Sequence, residues 1–171
     1  MSKKMHTEIS GGIAADVLIG SARADHIQGH GGDDRLSDLD GRDLIRGGVG
    51  DDWLFGGDGN DRLYGGVGDD RLFGGGGNDK LHGGRGDDRL TGGDGNDRFV
   101  FDLHGGNDIV TDYAVGEDRL DLRDFNFANT NVALAHAAQS DADVIFTFDT
   151  GDTVTLHNVQ LSTLSAADIV I

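Results

Sequence analysis

From Gly47 to Val100 one nine-residue phrase, of the form "GGDGNDRLY", returns six times without a gap. A fixed short period overrides local propensity, because each unit is one step of a stack and cannot bury its apolar residue alone. With Gly47 as the first position, the frame runs back to Gly11 and gives ten contiguous nonads. The sixth position is always Asp: Asp16, Asp25, Asp34, Asp43, Asp52, Asp61, Asp70, Asp79, Asp88 and Asp97. The eighth is always apolar: Leu18, Ile27, Leu36, Ile45, Leu54, Leu63, Leu72, Leu81, Leu90 and Phe99. A further unit, "LHGGNDIVT", follows after a two-residue shift, with Asp108 and Val110 in the matching places.

A second period sits inside the first. The fifth position alternates through Asp51, Asn60, Asp69, Asn78, Asp87 and Asn96, so the full repeat is a pair of nonads. Two nonads then complete one turn of a coil, with an Asp row on one side and an Asn row on the other. Glycines at positions one, two and four allow positive φ and close backbone approach. The terminal "Asp-x-Leu" is too short for an isolated strand, but stacked on its equivalents it places position eight inward and its neighbours outward. One aliphatic side chain per nonad makes a narrow core. Stacking also brings like carboxylates together, which is unfavourable without a cation.

Composition narrows the cation. The chain has no Cys and its seven His are scattered, which argues against zinc. Its formal charge of −17 is almost wholly Asp, with Glu only at positions 8 and 117. Hard divalent ions take carboxylate and carbonyl oxygen, and Ca²⁺ accepts six to eight of them in flexible geometry where Mg²⁺ demands an octahedron. Nucleic acid is disfavoured as a partner, since phosphate needs a basic footprint. No apolar run approaches a membrane span, and the start "MSKKMHTEIS" lacks the apolar stretch of a cleaved signal. Thirty glycines without any Pro leave every backbone N–H available to a sheet ladder.

These nonads resemble the G-G-x-G-x-D-x-U-x repeat of the RTX (repeats-in-toxin) calcium-binding proteins, a pattern known in general form. The resemblance implies an all-β fold, a right-handed parallel β-roll with Ca²⁺ between turns on each side. It implies ligands from Asp34, Asp43, Asp52, Asp61, Asp70, Asp79, Asp88 and Asp97, acting in pairs two nonads apart. Backbone carbonyls near Gly48, Gly50, Gly57, Gly59, Gly66, Gly68, Gly75, Gly77, Gly84 and Gly86 would complete the sites. Early nonads depart from the pattern, with Ala14, Ser21, Arg23, Asp38 and Leu39 in place of consensus residues. Their strands are expected to persist with weak or empty sites, so Asp16 and Asp25 are left out of the ligand set.

The expected organisation is a tail over 1–10, a β-roll over 11–111 (degenerate to 46, full consensus over 47–100) and a cap over 112–171. In the last part "DIVTDY" and "DRLDLRDF" read as strands, "NVALAHAAQ" as a short helix, and "DVIFTF" with "TVTLHNV" as a hairpin around Asp149–Asp152. The final "DIVI" resembles the uncleaved signal of type I-secreted proteins, which implies export through that apparatus and an extracellular location; a plain terminal strand is the alternative. No H-E-x-x-H or G-x-S-x-G is present, so catalysis is not expected. "DLDGRD" imitates an EF-hand start, but its twelfth position is Val49, not Glu. The outward seventh position (Trp53, Arg62, Arg71, Lys80, Arg89, Arg98) and the aromatic ninth (Phe55, Tyr64, Phe73) suit either surface pairing or an anionic polysaccharide.

Overall fold

A computed structural model describes residues 7–171. Successive nonads alternate between two facing sheets, so the chain winds as a parallel β-solenoid of about six turns. The first sheet takes Thr7–Ser10, Asp25–Gly31, Leu44–Val49, Arg62–Val67, Lys80–Arg85, Arg98–Val100, Arg119–Asp121 and Ile169–Val170. The second takes Val17–Ile19, Arg35–Ser37, Trp53–Gly59, Arg71–Gly76, Arg89–Asp94, Asn107–Val110 and Thr153–Leu156, then closes with Asp143–Thr147 and Ala137–Ser140. Residues 7–10, placed in the tail by the sequence, are thus a strand paired parallel to Asp25–Gln28. The rest of that tail, 1–6, lies outside the described residues.

The register follows the paired-nonad unit. Leu36 lies over Leu54, Leu54 over Leu72 and Leu72 over Leu90 in the second sheet. Ile45 lies over Leu63, Leu63 over Leu81 and Leu81 over Phe99 in the first. All of these are fully buried between the sheets. Each contributes roughly 1.5–3 kcal/mol, so a turn gains little from its apolar pair alone. The inward face of each half-turn reads Asp, Leu, Gly, because strand alternation carries position six and position eight inward together with the next position one.

Beyond Phe101 the unit lengthens. Val110 stacks on Leu90 and Leu120 on Phe99, each further along the chain than two nonads would reach. Leu156 and Ile169 then cover Val110 and Leu120 across a long intervening excursion. The 153–156 and 143–147 strands form the antiparallel hairpin, with Gly151 in positive φ at its turn. Only the first half of "NVALAHAAQ" is helical, Thr130–Leu134, capped by the Asn129 side chain accepting from the Val132 N–H at 3.1 Å. Its second half is the strand Ala137–Ser140, because that segment pairs with the open edge of Asp143–Thr147 and leaves a short, weakly apolar edge strand outside. Phe125 and Phe148 stack at 3.9 Å between this hairpin and the roll, with Phe127 beside them. The terminal "DIVI" is a docked strand, Ile169 buried against the roll. No helix among the described residues is long and apolar enough to cross a membrane.

Candidate metal centre

Each position-six Asp stands at the end of a glycine turn, where the chain passes from one sheet to the other. One oxygen is tied down within the protein. The N–H of Asp34 donates to Asp52 Oδ1, Asp52 to Asp70 and Asp70 to Asp88, each at 2.8 Å. On the opposite row Asp43 donates to Asp61 and Asp61 to Asp79, both at 2.8 Å, and Asp79 to Asp97 at 2.9 Å. The position-five row runs the other way, the N–H of Asp69 reaching back to Asp51 Oδ1 at 2.9 Å and that of Asn78 to Asn60 Oδ1 at 2.8 Å. Two antiparallel hydrogen-bond ladders therefore flank the turns of the full-consensus nonads.

The second oxygen has no donor. Oδ2 of Asp34, Asp43, Asp52, Asp61, Asp70, Asp79, Asp88 and Asp97 is buried and unpartnered in each case. A buried carboxylate oxygen left this way costs several kcal/mol unless a cation meets it. No Arg or Lys of the described residues forms an ion pair with any of these eight. Burial, reinforced by like-charged neighbours, pushes Asp70 up to about 8, Asp79 and Asp88 to about 7, and Asp43, Asp52 and Asp97 to about 6. Asp34 and Asp61 move in the same direction, burial again leading.

Oxygen surrounds these orphans. A β-carbon built on Gly47 would strike Asp52 Oδ2 and lie 2.7 Å from the Gly65 carbonyl oxygen; Gly65 stands likewise to Asp70 and Gly83, and Gly74 to Asp79 and Gly92. Carbonyls of the position-two and position-four glycines point along the stack at the next turn, Gly48 at Gly66, Gly57 at Gly75, Gly59 at Gly77 and Gly68 at Gly86. Those of Gly50, Gly66, Gly75, Gly77, Gly84 and Gly86 do the same toward Gly68, Gly84, Gly93, Gly95, Gly105 and Gly106. Among the described residues no three acidic or His side chains converge on one point, so a bound ion must draw on these carbonyls. The donor set, carboxylate and amide oxygen without sulfur or imidazole, fits Ca²⁺.

The structure carries both ladders past Val100, through Asp108, which the shifted unit already marks, and Asp118, which the period hides. Asp108 Oδ1 accepts from the Asp88 N–H at 3.0 Å and Asp118 Oδ1 from that of Asp97 at 2.8 Å, extending both ladders. The Asp-x-apolar triplet at 118–120 is the signal in the sequence that marks the second of these. The position-one carbonyls of Gly65, Gly83 and Gly92 border the same space as the orphan oxygens, where a β-carbon on the position-one glycine one turn back would sit, yet the expected set holds only those of positions two and four. Asp16 and Asp25 differ from the array. Gly12 N–H donates to Asp16 Oδ2 at 2.7 Å, and Ser21 N–H and Oγ both donate to Asp25 Oδ2 at 2.7 Å. Although burial alone would raise Asp25, those bonds and the Thr7 amide hold it below the usual carboxylate range.

The repeat model for the RTX calcium-binding nonapeptide matches four stretches, 10–37, 38–72, 64–99 and 73–110. The chain belongs to the RTX calcium-binding nonapeptide repeat family. Among solved structures, this RTX chain is similar to an extracellular lipase from Serratia marcescens at 21% identity and a TM-score of 0.45, over 100% of this chain and 40% of the lipase. It is also similar to two subunits of the Azotobacter vinelandii mannuronan C5-epimerase. One is 22% identical at a TM-score of 0.43, over 93% of this chain and 80% of that one. The other is 23% identical at 0.43, over 90% and 91%. The RTX chain thus spans less than half the length of the lipase it resembles. No curated protein matches it in sequence. Calcium-binding repeat module is therefore the functional description the family supports.

Proposed function

We propose that this is a non-catalytic module whose solenoid folds on binding extracellular Ca²⁺ after export by a type I secretion apparatus. One observation carries the proposal: two rows of buried aspartate oxygens without a donor, each beside main-chain carbonyls. Asp34, Asp43, Asp52, Asp61, Asp70, Asp79, Asp88 and Asp97 supply the charge, in pairs one turn apart, and turn carbonyls supply the remaining oxygens. Ca²⁺ sites of extracellular modules bind at about 10⁻⁴–10⁻³ M, above cytosolic levels, so the chain stays unfolded for threading and folds outside.

The test is substitution by the uncharged isostere. Asp70→Asn with Asp79→Asn keeps both accepting oxygens but removes two unbalanced buried charges. In chelator the double variant should keep no less β structure by circular dichroism than the natural chain; in calcium it should melt lower and bind fewer ions by calorimetry. Asp16→Asn should change neither. Equal melting and equal ion uptake of double variant and natural chain in calcium would assign the array a purely hydrogen-bonding role.

A second reading rests on the outer face of the second sheet. Arg71 lies 4.7 Å from the Trp53 ring centre, Arg35 lies 4.6 Å from Phe55, and Phe55 stacks on Phe73 at 4.9 Å and 4°. Flat rings interleaved with guanidinium groups suit an anionic polysaccharide, which offers both apolar sugar faces and carboxylates. Arg71→Glu with Arg89→Glu should then abolish retention on immobilised alginate while calcium-induced circular dichroism is unchanged. Loss of both together would make these arginines structural.

A further inference from the structure

Nine of the ten nonads begin with Gly; the nonad from 38 to 46 begins with Asp. At the regular first positions a β-carbon would collide with the orphan oxygen of the Asp five residues on, as at Gly47 and Gly65. A side chain placed there has to vacate that space. The backbone gives way: the strand stops at Ser37 and resumes only as Asp40–Gly41, where its neighbour runs unbroken from Trp53 to Gly59. The Asp38 carboxyl group swings over Gly20 of the preceding turn, its Cγ 2.6 Å from where a β-carbon of Gly20 would sit. What reads in the sequence as a broken repeat places a second carboxylate inside the turn.

That carboxylate is 3% exposed. One oxygen accepts only from the neighbouring Leu39 N–H at 2.9 Å, and the other has no donor. Asp43 is equally buried, its Oδ1 holding the Asp25 N–H at 2.7 Å and its Oδ2 without a partner. The two carboxyl groups are within hydrogen-bonding reach of each other. No Arg or Lys among the described residues pairs with either. Meanwhile Asp25, the partner one turn back that the regular pattern would offer, is saturated by Ser21 and by the Thr7 N–H at 2.9 Å. Asp38 stands in for a carboxylate that has been withdrawn. The carbonyl oxygen of Arg23 also comes against Gly41, within 2.9 Å of a β-carbon built there.

We propose that Asp38 and Asp43 hold a divalent cation between them, at a site that draws both carboxylates from one nonad rather than one from each of two turns. The inference rests on the calcium reading above and adds a ligand outside the repeat pattern. More carboxylate charge at one ion tightens a calcium site. The site thereby keeps two carboxylates, as many as a regular site draws from two turns, although its sequence is the least regular of the last seven nonads.

The experiment is calcium binding by calorimetry on the full chain, Asp38→Gly and Asp38→Asn, with melting followed in saturating calcium. Gly restores the first residue of the other nonads; Asn preserves the shape if Gly fails to fold. Both variants should weaken the binding of one ion by about tenfold or more while the other ions bind as before. Unchanged affinity for every ion, with Asp38→Asn melting no lower in calcium, would show that Asp38 holds no ion and would overturn the inference alone. No calcium uptake by the natural chain would overturn the reading of the whole array, and this site with it.

Discussion

In chelator at about pH 8 the chain is expected to lose its solenoid, and millimolar Ca²⁺ to restore it in one cooperative step. Two buried aliphatic side chains per turn are too little apolar burial to offset the backbone entropy of ordering two nonads, which ladder hydrogen bonds offset only in part. The ion-free fold also leaves eight buried oxygens of the array unpartnered. Protons can replace the ion in part, which fixes the sign of the pH effect. Folded-state values near 6–8 exceed the ordinary 3.9, so the contribution of these carboxyls is complete below that ordinary value and lost as pH rises through 6–8. Asp25, Asp121 and Asp168 have lowered values, hydrogen bonds outweighing burial, and their contribution disappears as pH falls through those values. The chelated chain should therefore regain β structure on acidification to about pH 5 and lose it again in stronger acid. Apparent calcium affinity should decline over the same 6–8 window as protons compete. Far-UV circular dichroism with chelator across pH is the measurement; a β-rich, cooperatively melting chelated protein at pH 8 would refute the account.

Gly66→Ala should cost about 3 kcal/mol, the upper end for a strained backbone position, even in saturating calcium. Gly66 has φ of 127°, and a β-carbon there would strike the Gly48 carbonyl of the turn below, a rigid backbone atom. Gly76→Ala is the control. Gly76 has no positive φ, its β-carbon would meet only the mobile Asp58 side chain at 3.1 Å, and other nonads carry Val49, Asp58 or Arg85 at that position. Its removal of unfolded-state freedom should add about 0.4–1 kcal/mol. Denaturant unfolding in calcium separates the two; similar midpoints would mean that turns stack less closely than described.

The roll was legible because one period governs both hydrogen-bond register and side-chain direction. Once Leu36, Leu54 and Leu72 are known to recur at every second nonad, their superposition follows. The carboxylate rows were legible for the same reason. What the period could not convey is which oxygen of each Asp is spoken for, since that depends on the N–H one turn away. Nor could it convey the place of Asp118 in the ladder, which lies beyond the point where the turns lengthen and the period lapses. Ala137–Ser140 escaped because its strand is set by a neighbour across a turn, while its alanines favour helix locally. Asp38 escaped because a departure from consensus looks like damage until the carboxyl group's position is seen.

The two edges of the roll share a backbone plan but not an electrical one. Beside the inner carboxylates, one edge presents Asp33, Asp51, Asp69 and Asp87, and the other Arg42, Asn60, Asn78 and Asn96. Adjacent members of a stack lie about 4.8 Å apart. With the interior neutralised, the first edge remains a line of fixed negative charge and gathers a diffuse, exchangeable ion cloud, as any closely charged filament does. The second edge has no such line. A near-twofold scaffold thereby acquires a transverse dipole, and an approaching charged surface meets two unlike rims.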